Sequence, residues 1–494
     1  MEFKPTREQQ LFFNEIKNGF GNILIEAFAG CAKTTTAIES LKYIPDGKSK
    51  LFLAFNTHIK DELKEKLPKE IKTQTLHGIG YGSIIRKYKE VDFDEFKIDK
   101  IINKKKGKWY LHNEFSSEDE INDYLKSIKR LVGLCKVTLT TKKRFVPFLC
   151  DRYNIKYSSD KDIKRVFMVL EESMNDIKTI DYNDMVFLPA IDNKLFLIPY
   201  DYVYVDEIQD LNRAQQMMID KMVKKDRKTG KRIGRLILIG DKNQSIYSFT
   251  GINDKTFDWY RELPNTKKLS LSTTFRCAKN IVKHAQQYVP DIKALDTAID
   301  GVVREGDVLK EAQSGDFILC RTTMPLVKLF FQFLIKEKKV TIKGAEIGDS
   351  LIDMIGDAKT VDQLKSIWDE KLNIYKSNLL SKGIINIEDD STYTALEDKV
   401  LTLLFIGKIS KDINDLKLKI QHIFTDKVEG IILSTVHKSK GLESDRVFIV
   451  RPDLLPMKKV QKAWEVQQEK NLAYVAITRA KKELIYDNNW TDEK

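Results

Sequence analysis

The decapeptide AFAGCAKTTT (27–36) follows an apolar run and sets one lysine directly before three hydroxyl side chains. Small residues let backbone N–H groups close around a phosphate where a helix begins, and a lysine there reaches the terminal phosphates. Ala29, Gly30, Cys31, Ala32, Lys33, Thr34 and Thr35 would form this cradle, with Lys33 on the β/γ-phosphates and the Thr34 hydroxyl on Mg²⁺. The run departs from G-x-x-x-x-G-K-[ST] at Ala27 and Ala32, leaving Gly30 alone. Alanine at positive φ is strained, so a strand–turn–helix that merely starts a helix is the competing reading.

A second segment, YVYVDEIQD (202–210), ends a β-branched run in two carboxylates. Open α/β sheets bind ligands at the carboxyl ends of their strands, so Asp206 could hold Mg²⁺ and Glu207 could orient or deprotonate an attacking water. A solvated acidic loop is the alternative. In the third segment, LILIGDKNQSIYSFTGI (236–252), Gln244 follows a strand end where a γ-phosphate could be sensed. Tyr247 and Phe249 beyond it could stack on unpaired bases or belong to the local core. Together these segments describe a nucleotide-hydrolysing site joined to a nucleic-acid contact.

Elements must position such residues. Apolar runs at 22–28, 50–55, 202–206, 235–241, 316–320, 430–436 and 446–450 read as buried parallel strands, and several precede helical segments. The expected fold is α/β, with strand–helix alternation in two groups. Residues 90–198 and 350–428 lack that alternation and read as mainly helical insertions. LVKLFFQFLI (326–335) is interrupted by Lys328 and Gln332 and reads as an amphipathic helix, too short for a membrane span.

The three segments resemble motifs I, II and III of superfamily 1 DNA helicases, in particular the UvrD/Rep/PcrA group with its DExQD signature. Further matches follow in order. TREQQ (6–10) resembles the Q motif, which implies that Gln9 reads adenine. FNTHI (55–59) resembles motif Ia, placing Phe55 and Asn56 toward DNA, and TLHG (75–78) matches a DNA-contacting motif through His77. LSTTFRC (271–277) resembles motif IV, with Phe275 on the adenine ring and Arg276 on the γ-phosphate. STVHKSKGLE (434–443) resembles motif V, with His437 near DNA and Glu443 near the ribose. NLAYVAITRAKKEL (471–484) resembles motif VI, with Arg479 as the arginine finger.

The resemblance implies two RecA-like P-loop domains, 1A (1–89 and 199–268) and 2A (269–349 and 429–494), with a 1B-like insertion at 90–198 and a short 2B-like one at 350–428. ATP and Mg²⁺ would sit in the cleft between the cores, and closure would ratchet Phe55 and Phe249 along a single DNA strand, 3′ to 5′. AFAG with LAFN also resembles the F-box DNA helicase branch, although no F-box is expected ahead of it. No nuclease segment is expected after motif VI.

The composition bounds these readings. In 494 residues there are 84 Lys+Arg and 72 Asp+Glu, a net charge of +12, which suits a polyanion but does not demand one. The 42% hydrophobic content excludes a disordered chain. Cys31, Cys135, Cys150, Cys277 and Cys320 are scattered without a C-x-x-C pair, arguing against zinc or disulfide frameworks. His58, His112, His284 and His422 lack metal-ligand spacing. MEFKPTREQQ has no apolar signal region, so a soluble intracellular protein is expected, monomeric, acting on single-stranded DNA and its junctions with duplex. A Lys/Ile/Asn-rich bias fits a bacterial or phage-like, AT-rich source. KIDKIINKKKGKWY (97–110), with Lys104, Lys105, Lys106, Lys108 and Trp109, is either a DNA-binding arm or a solvated lysine-rich loop. Two other functions fit the residues: a non-hydrolysing nucleic-acid-binding module with a degenerate phosphate loop, and a translocase that strips proteins from DNA.

Overall fold

The computed structural model describes residues 4–488 apart from 253–254, 382–386, 388–389, 428, 459 and 461. It divides into two compact units, Met1–Ala27 with Ala32–Leu271 and Phe28–Cys31 with Ser272–Lys494.

The first unit is built on a six-stranded sheet, counted among the described residues. Its strands are β1 (Asn22–Ala27), β2 (Lys50–Ala54), β3 (Lys72–Thr75), β6 (Tyr202–Val205), β7 (Arg235–Gly240) and β8 (Thr266–Leu271). They run in the order β3-β2-β6-β7-β1-β8, and every pairing is parallel. The central strands β6 and β7 are buried along their whole length, which their unbroken apolar sequences require of a sheet covered on both faces. The edge strands β3 (KTQT) and β8 (TKKLSL) are polar and partly exposed. The order makes β6, β7 and β1 neighbours, so the segments after their carboxyl ends lie side by side.

Side-chain caps fix where the helices begin. Thr6 and Gln9 form a capping box on α1 (Arg7–Asn18). α2 (Lys33–Ser40) follows the phosphate-loop segment. Asn56 caps α3 (Thr57–Lys66), and Thr75 caps α4 (Leu76–Tyr88).

An insertion leaves the sheet after α4. Its two ends are clasped by a short parallel pair, β4 (Asp92–Phe93) with β5 (Thr179–Ile180). Between them lie α5 (Lys97–Lys106), α6 (Glu118–Thr138), α7 (Val146–Arg152) and α8 (Asp160–Asn175). These helices pack around a core of their own that includes Ile101, Tyr124, Leu131, Val166 and Leu170. α9 (Asp184–Ile191) serves both cores: Phe187 and Leu188 face the insertion, while Val186 and Ala190 join the core under the sheet. α10 (Arg213–Lys221) and α11 (Thr256–Arg261) complete the unit.

Beneath the insertion lies a buried ion cluster. Lys97 Nζ donates to Asp184 (2.8 Å) and to the carbonyls of Ser173 and Asp176. Lys136 Nζ reaches Asp181 (2.8 Å) and Asp184 (2.7 Å). Lys97 therefore staples the fold, and Trp109 is buried beneath the Arg165 guanidinium, 5.2 Å from its ring. Lys104 and Lys105 pair with Glu172. Within the 97–110 stretch, packing therefore takes up Trp109 and Lys97, while Lys106, Lys108 and Tyr110 stay exposed.

The second unit carries a seven-stranded parallel sheet among the described residues. A short pair, β9 (Thr273–Thr274) with β10 (Lys293–Ala294), precedes it. The sheet comprises β11 (Val302–Glu305), β12 (Phe317–Cys320), β13 (Val340–Lys343), β14 (Phe424–Thr425), β15 (Ile431–Thr435), β16 (Ser444–Val450) and β17 (Ala480–Asp487), in the order β11-β17-β16-β12-β15-β13-β14. Helices α12 (Lys279–Ala285), α13 (Val308–Glu311), α14 (Met324–Ile335) and α19 (Ala463–Ile477) accompany it. Between β13 and β14 lie α15 (Ala345–Asp353), α16 (Val361–Ser381), α17 (Ser391–Lys408) and α18 (Ile413–Ile423). Leu351, Leu364, Leu403 and Leu416 of these helices share one core with Ile318, Leu433 and Phe448 of the sheet.

Candidate functional site

The chain leaves β1 and turns into α2 through residues at positive φ, Gly30 at 70° and Ala32 at 58°. Ala32 is left-handed (ψ 41°), where an L side chain costs about 1–2 kcal/mol. Such a turn presents successive backbone N–H groups to one side, as an anion cradle requires. Lys33 opens the helix, Thr34 follows, Thr35 is exposed, and Ala29 and Cys31 are buried.

Asp206 stands just past β6. The Thr34 hydroxyl donates to its Oδ2 at 2.9 Å, and Lys33 Nζ lies 3.6 Å from Glu207 Oε1. Glu207 is itself left-handed (φ 52°, ψ 44°), a conformation that non-glycine residues hold only when their surroundings enforce it. Burial, and then the adjacent Glu207 carboxylate, raise the Asp206 pKa to about 6 against the pull of Lys33 and Thr34. A cavity of about 230 Å³ opens beside this group, lined by Thr34, Asp206 and Glu207 and by Phe55, Glu62 and Lys66. Phe55 is exposed.

Gln209, the glutamine of the DExQD signature, to which no task is assigned above, connects this group to β7. Its Nε2 donates to Glu207 Oε2, and its Oε1 accepts from the Asp241 N–H at 3.0 Å. Gln244 Nε2 in turn donates to Asp241 Oδ2 at 2.7 Å. Space at the end of β7 is tight: a Cβ on Gly240 would lie 2.4 Å from Gln209 Oε1, 2.9 Å from Ile208 Cγ1 and 3.1 Å from the Ile208 nitrogen, so a larger residue would displace Gln209. Tyr247 follows, half-buried. The Phe249 side chain lies outside the described residues.

Other expected site residues have local duties. Gln9 is buried, accepts from the Thr6 N–H and donates to Thr36 Oγ1 at 2.8 Å. The Asn56 side chain accepts from the Ile59 N–H at 2.8 Å. His77 is half-buried, and burial lowers its pKa.

In the second unit, Arg276 Nε lies 2.5 Å from Glu443 Oε2 and its Nη1 donates to the Thr478 carbonyl at 3.2 Å. Lys481 also pairs with Glu443 at 2.9 Å. Burial pushes the Glu443 carboxyl up, but Lys481 and Arg276 overcome it and hold the pKa below its ordinary value. Arg479 is buried and donates to the carbonyls of Val475 and Leu442, each at 3.0 Å. Burial, then Arg276, lower its pKa to about 10. Arg276, Glu443 and Arg479 thus form one cluster. Phe275 beside them is exposed. His437 is half-buried, with its pKa lowered to about 3 by burial and by Arg321, so it is neutral at ordinary pH. Arg321 is held in a forked pair with Glu469 of α19 (2.7 and 3.1 Å).

Residues 8–262 match the UvrD/REP helicase N-terminal domain, and residues 358–488 match the UvrD-like helicase C-terminal domain. The chain belongs to the UvrD/REP helicase family. It is 24% identical to F-box DNA helicase protein 1 of Schizosaccharomyces pombe, over 98% of this chain and 58% of that protein. It is 23% identical to the ATP-dependent DNA helicase Rep of Buchnera aphidicola, over 96% of this chain and 93% of that protein. With the ATP-dependent DNA helicase PcrA of Staphylococcus aureus it shares 21% identity over 95% of this chain and 81% of the relative. The chain spans about half the length of the F-box DNA helicases it matches. Among the described residues, no helix of this UvrD/REP family chain is long and apolar enough to cross a membrane.

Proposed function

We propose that this chain hydrolyses ATP to move along single-stranded DNA and separate strands, travelling 3′ to 5′. The observation that carries the reading is the group Lys33, Thr34, Asp206 and Glu207, beyond the carboxyl ends of β1 and β6, the two parallel strands that flank β7. A carboxyl with a pKa near 6 beside a second carboxylate and a hydroxyl is a place where a divalent cation relieves electrostatic repulsion. The residues therefore fit Mg²⁺, which Thr34 and Asp206 would hold. Among the described residues no group of three or more His, Cys, Asp or Glu is arranged to hold a metal, so phosphate oxygens and water would supply the remaining ligands. Bound there, Mg²⁺ neutralises charge on the phosphate oxygens.

The chain's own residues do the rest in this proposal. Backbone N–H groups of 29–35 and the Lys33 ammonium bind phosphate, and Glu207 orients a water and accepts its proton. Arg276 and Arg479 contribute positive charge to the transferring group. Gln209, Asp241 and Gln244 link the state of Glu207 to Tyr247, giving hydrolysis a route to a base-stacking loop. The proposed division has four subdomains, 1A and 2A with insertions at 90–198 and 350–428.

The test is ATPase activity with and without single-stranded DNA, for wild type and Lys33→Ala, followed by unwinding of 3′- and 5′-tailed duplexes. DNA-stimulated hydrolysis that Lys33→Ala abolishes is expected. A wild type that binds DNA without hydrolysis would instead establish a passive binding module. Hydrolysis without displacement of a naked strand would mark a protein-stripping translocase, and equal unwinding from a 5′ tail would refute the polarity.

A further inference from the structure

The 97–110 stretch spends its tryptophan and several of its lysines internally, and a different basic and aromatic surface remains open in the same insertion. It begins where α6 ends. A Cβ on Gly251 would lie 2.6 Å from Val137 Cγ2 and 3.4 Å from Leu134 Cδ2, so the loop that carries Tyr247 packs against the last turn of α6. Leu139 then turns left-handed (φ 55°), and the Thr140 N–H closes the turn on the Cys135 carbonyl at 2.8 Å.

The following residues, Lys142, Lys143, Arg144 and Phe145, are all exposed. α7 buries Val146, Leu149 and Cys150 toward the insertion's core, which leaves Phe145 and Phe148 on its outer side, 49% and 65% exposed. Residues three apart on a helical turn are neighbours, so the two rings share a face. The Arg144 guanidinium lies 4.9 Å from the Phe145 ring centroid and already covers that ring with a cation. From Leu139 to Cys150 the chain has three cations and no carboxylate.

Two exposed flat rings call for flat partners, and three cations in a stretch without a carboxylate call for an anion. Unpaired nucleotides supply both. The geometry points to a single-stranded DNA site at Lys142–Phe148: bases stack on Phe145 and Phe148 while Lys142, Lys143 and Arg144 meet the phosphates. The inference rests on the single-strand translocase reading above and extends it, because the site continues from the packed end of the Tyr247 loop into the insertion.

The experiment uses the full chain. Binding of oligo(dT), an abasic strand of equal length and a blunt duplex would be measured by fluorescence anisotropy across a salt series. The variants are Phe145→Ala/Phe148→Ala and Lys142→Gln/Arg144→Gln, whose near-wild-type thermal unfolding would be checked first. The double phenylalanine variant is expected to bind oligo(dT) about ten-fold or more weakly and the abasic strand as wild type does. The charge variant is expected to flatten the salt dependence by about 0.7 per lost cation. Unchanged oligo(dT) affinity in the phenylalanine variant, or an equal loss on abasic or duplex DNA, overturns the proposal. Absence of DNA-stimulated hydrolysis in wild type would refute the motor reading instead, and the variants' binding is scored independently of it.

Discussion

Asp206 is the residue at which pH and a divalent cation should act against each other. Its pKa is raised in the folded protein to about 6 from the 3.8 of an unperturbed carboxyl. The stability this group contributes is therefore fully present below pH 3.8 and lost as pH rises through about 6, where the folded protein must hold an ionised carboxylate. Without Mg²⁺, Asp206→Asn should unfold at a higher temperature than wild type above pH 6. That advantage should shrink as pH falls toward about 4, and an advantage that grows in acid would contradict the assignment. Mg²⁺ needs the ionised form, so its apparent affinity in wild type should fall about ten-fold per pH unit below about 6 and level off above. Calorimetric titration across about pH 5–8 reads this directly.

Ala32 is the other residue whose chemistry shows in its backbone. Glycine would relieve about 1–2 kcal/mol of left-handed strain and return about 0.5–1 kcal/mol in chain entropy. Ala32→Gly should therefore leave stability unchanged or raise it by up to about 1.5 kcal/mol, with hydrolysis retained. A clear drop in the unfolding midpoint would mean that the Ala32 methyl group packs usefully. The sequence already exposed this departure, since alanine stands where the motif has glycine. It marked Gln209 only as a letter of the DExQD signature, because its two hydrogen bonds depend on β6 and β7 being adjacent, a fact of sheet order and not of local pattern.

At the scale of elements, the ion cluster under the insertion is a strong and testable joint. Asp184 is shared by Lys97 and Lys136, and all three are buried. Removing one partner of a buried pair leaves an uncompensated charge, at a cost of about 3–5 kcal/mol. Asp184→Ala should lower stability by that order in denaturant unfolding, and a loss below about 1 kcal/mol would show that water reaches the lysines. Nothing in IDYNDMVFLP (180–189) announces the cluster, because its lysines lie far away in sequence. The strands divide in the same way. Fully apolar runs such as β6, β7 and β12 were legible because burial on both faces leaves no ambiguity. The polar edge strands β3 and β8, and the lysine-bearing β17, were not, since charged and polar side chains break their apolar runs and their pairing supplies the order.

For the molecule as a whole, each unit has its own sheet and core, so a single unfolding free energy is not expected. Differential scanning calorimetry should resolve more heat than one cooperative transition accounts for. Asp184→Ala should displace only the component belonging to the first unit. A single transition that moves as one in the variant would show that the two units unfold together. The net charge of +12 is spread over lysines paired with carboxylates, as at Lys104 and Lys105, and over open ones, as at Lys142. Total charge is therefore a poor guide to where a polyanion binds.

The clasp of β4 on β5 bears on how the chain finds its fold. Pairing β2 with β6 requires the chain to close a long loop that contains the whole insertion. If the insertion's helices collapse first, Asp92 and Thr179 already stand side by side. The excursion between them then no longer counts toward the loop, which roughly halves its effective length. The entropic saving is about 0.6 kcal/mol. It favours an order of events in which the late-arriving strand, with Asp206 and Glu207 at its end, is delivered to the sheet by a segment that has already folded.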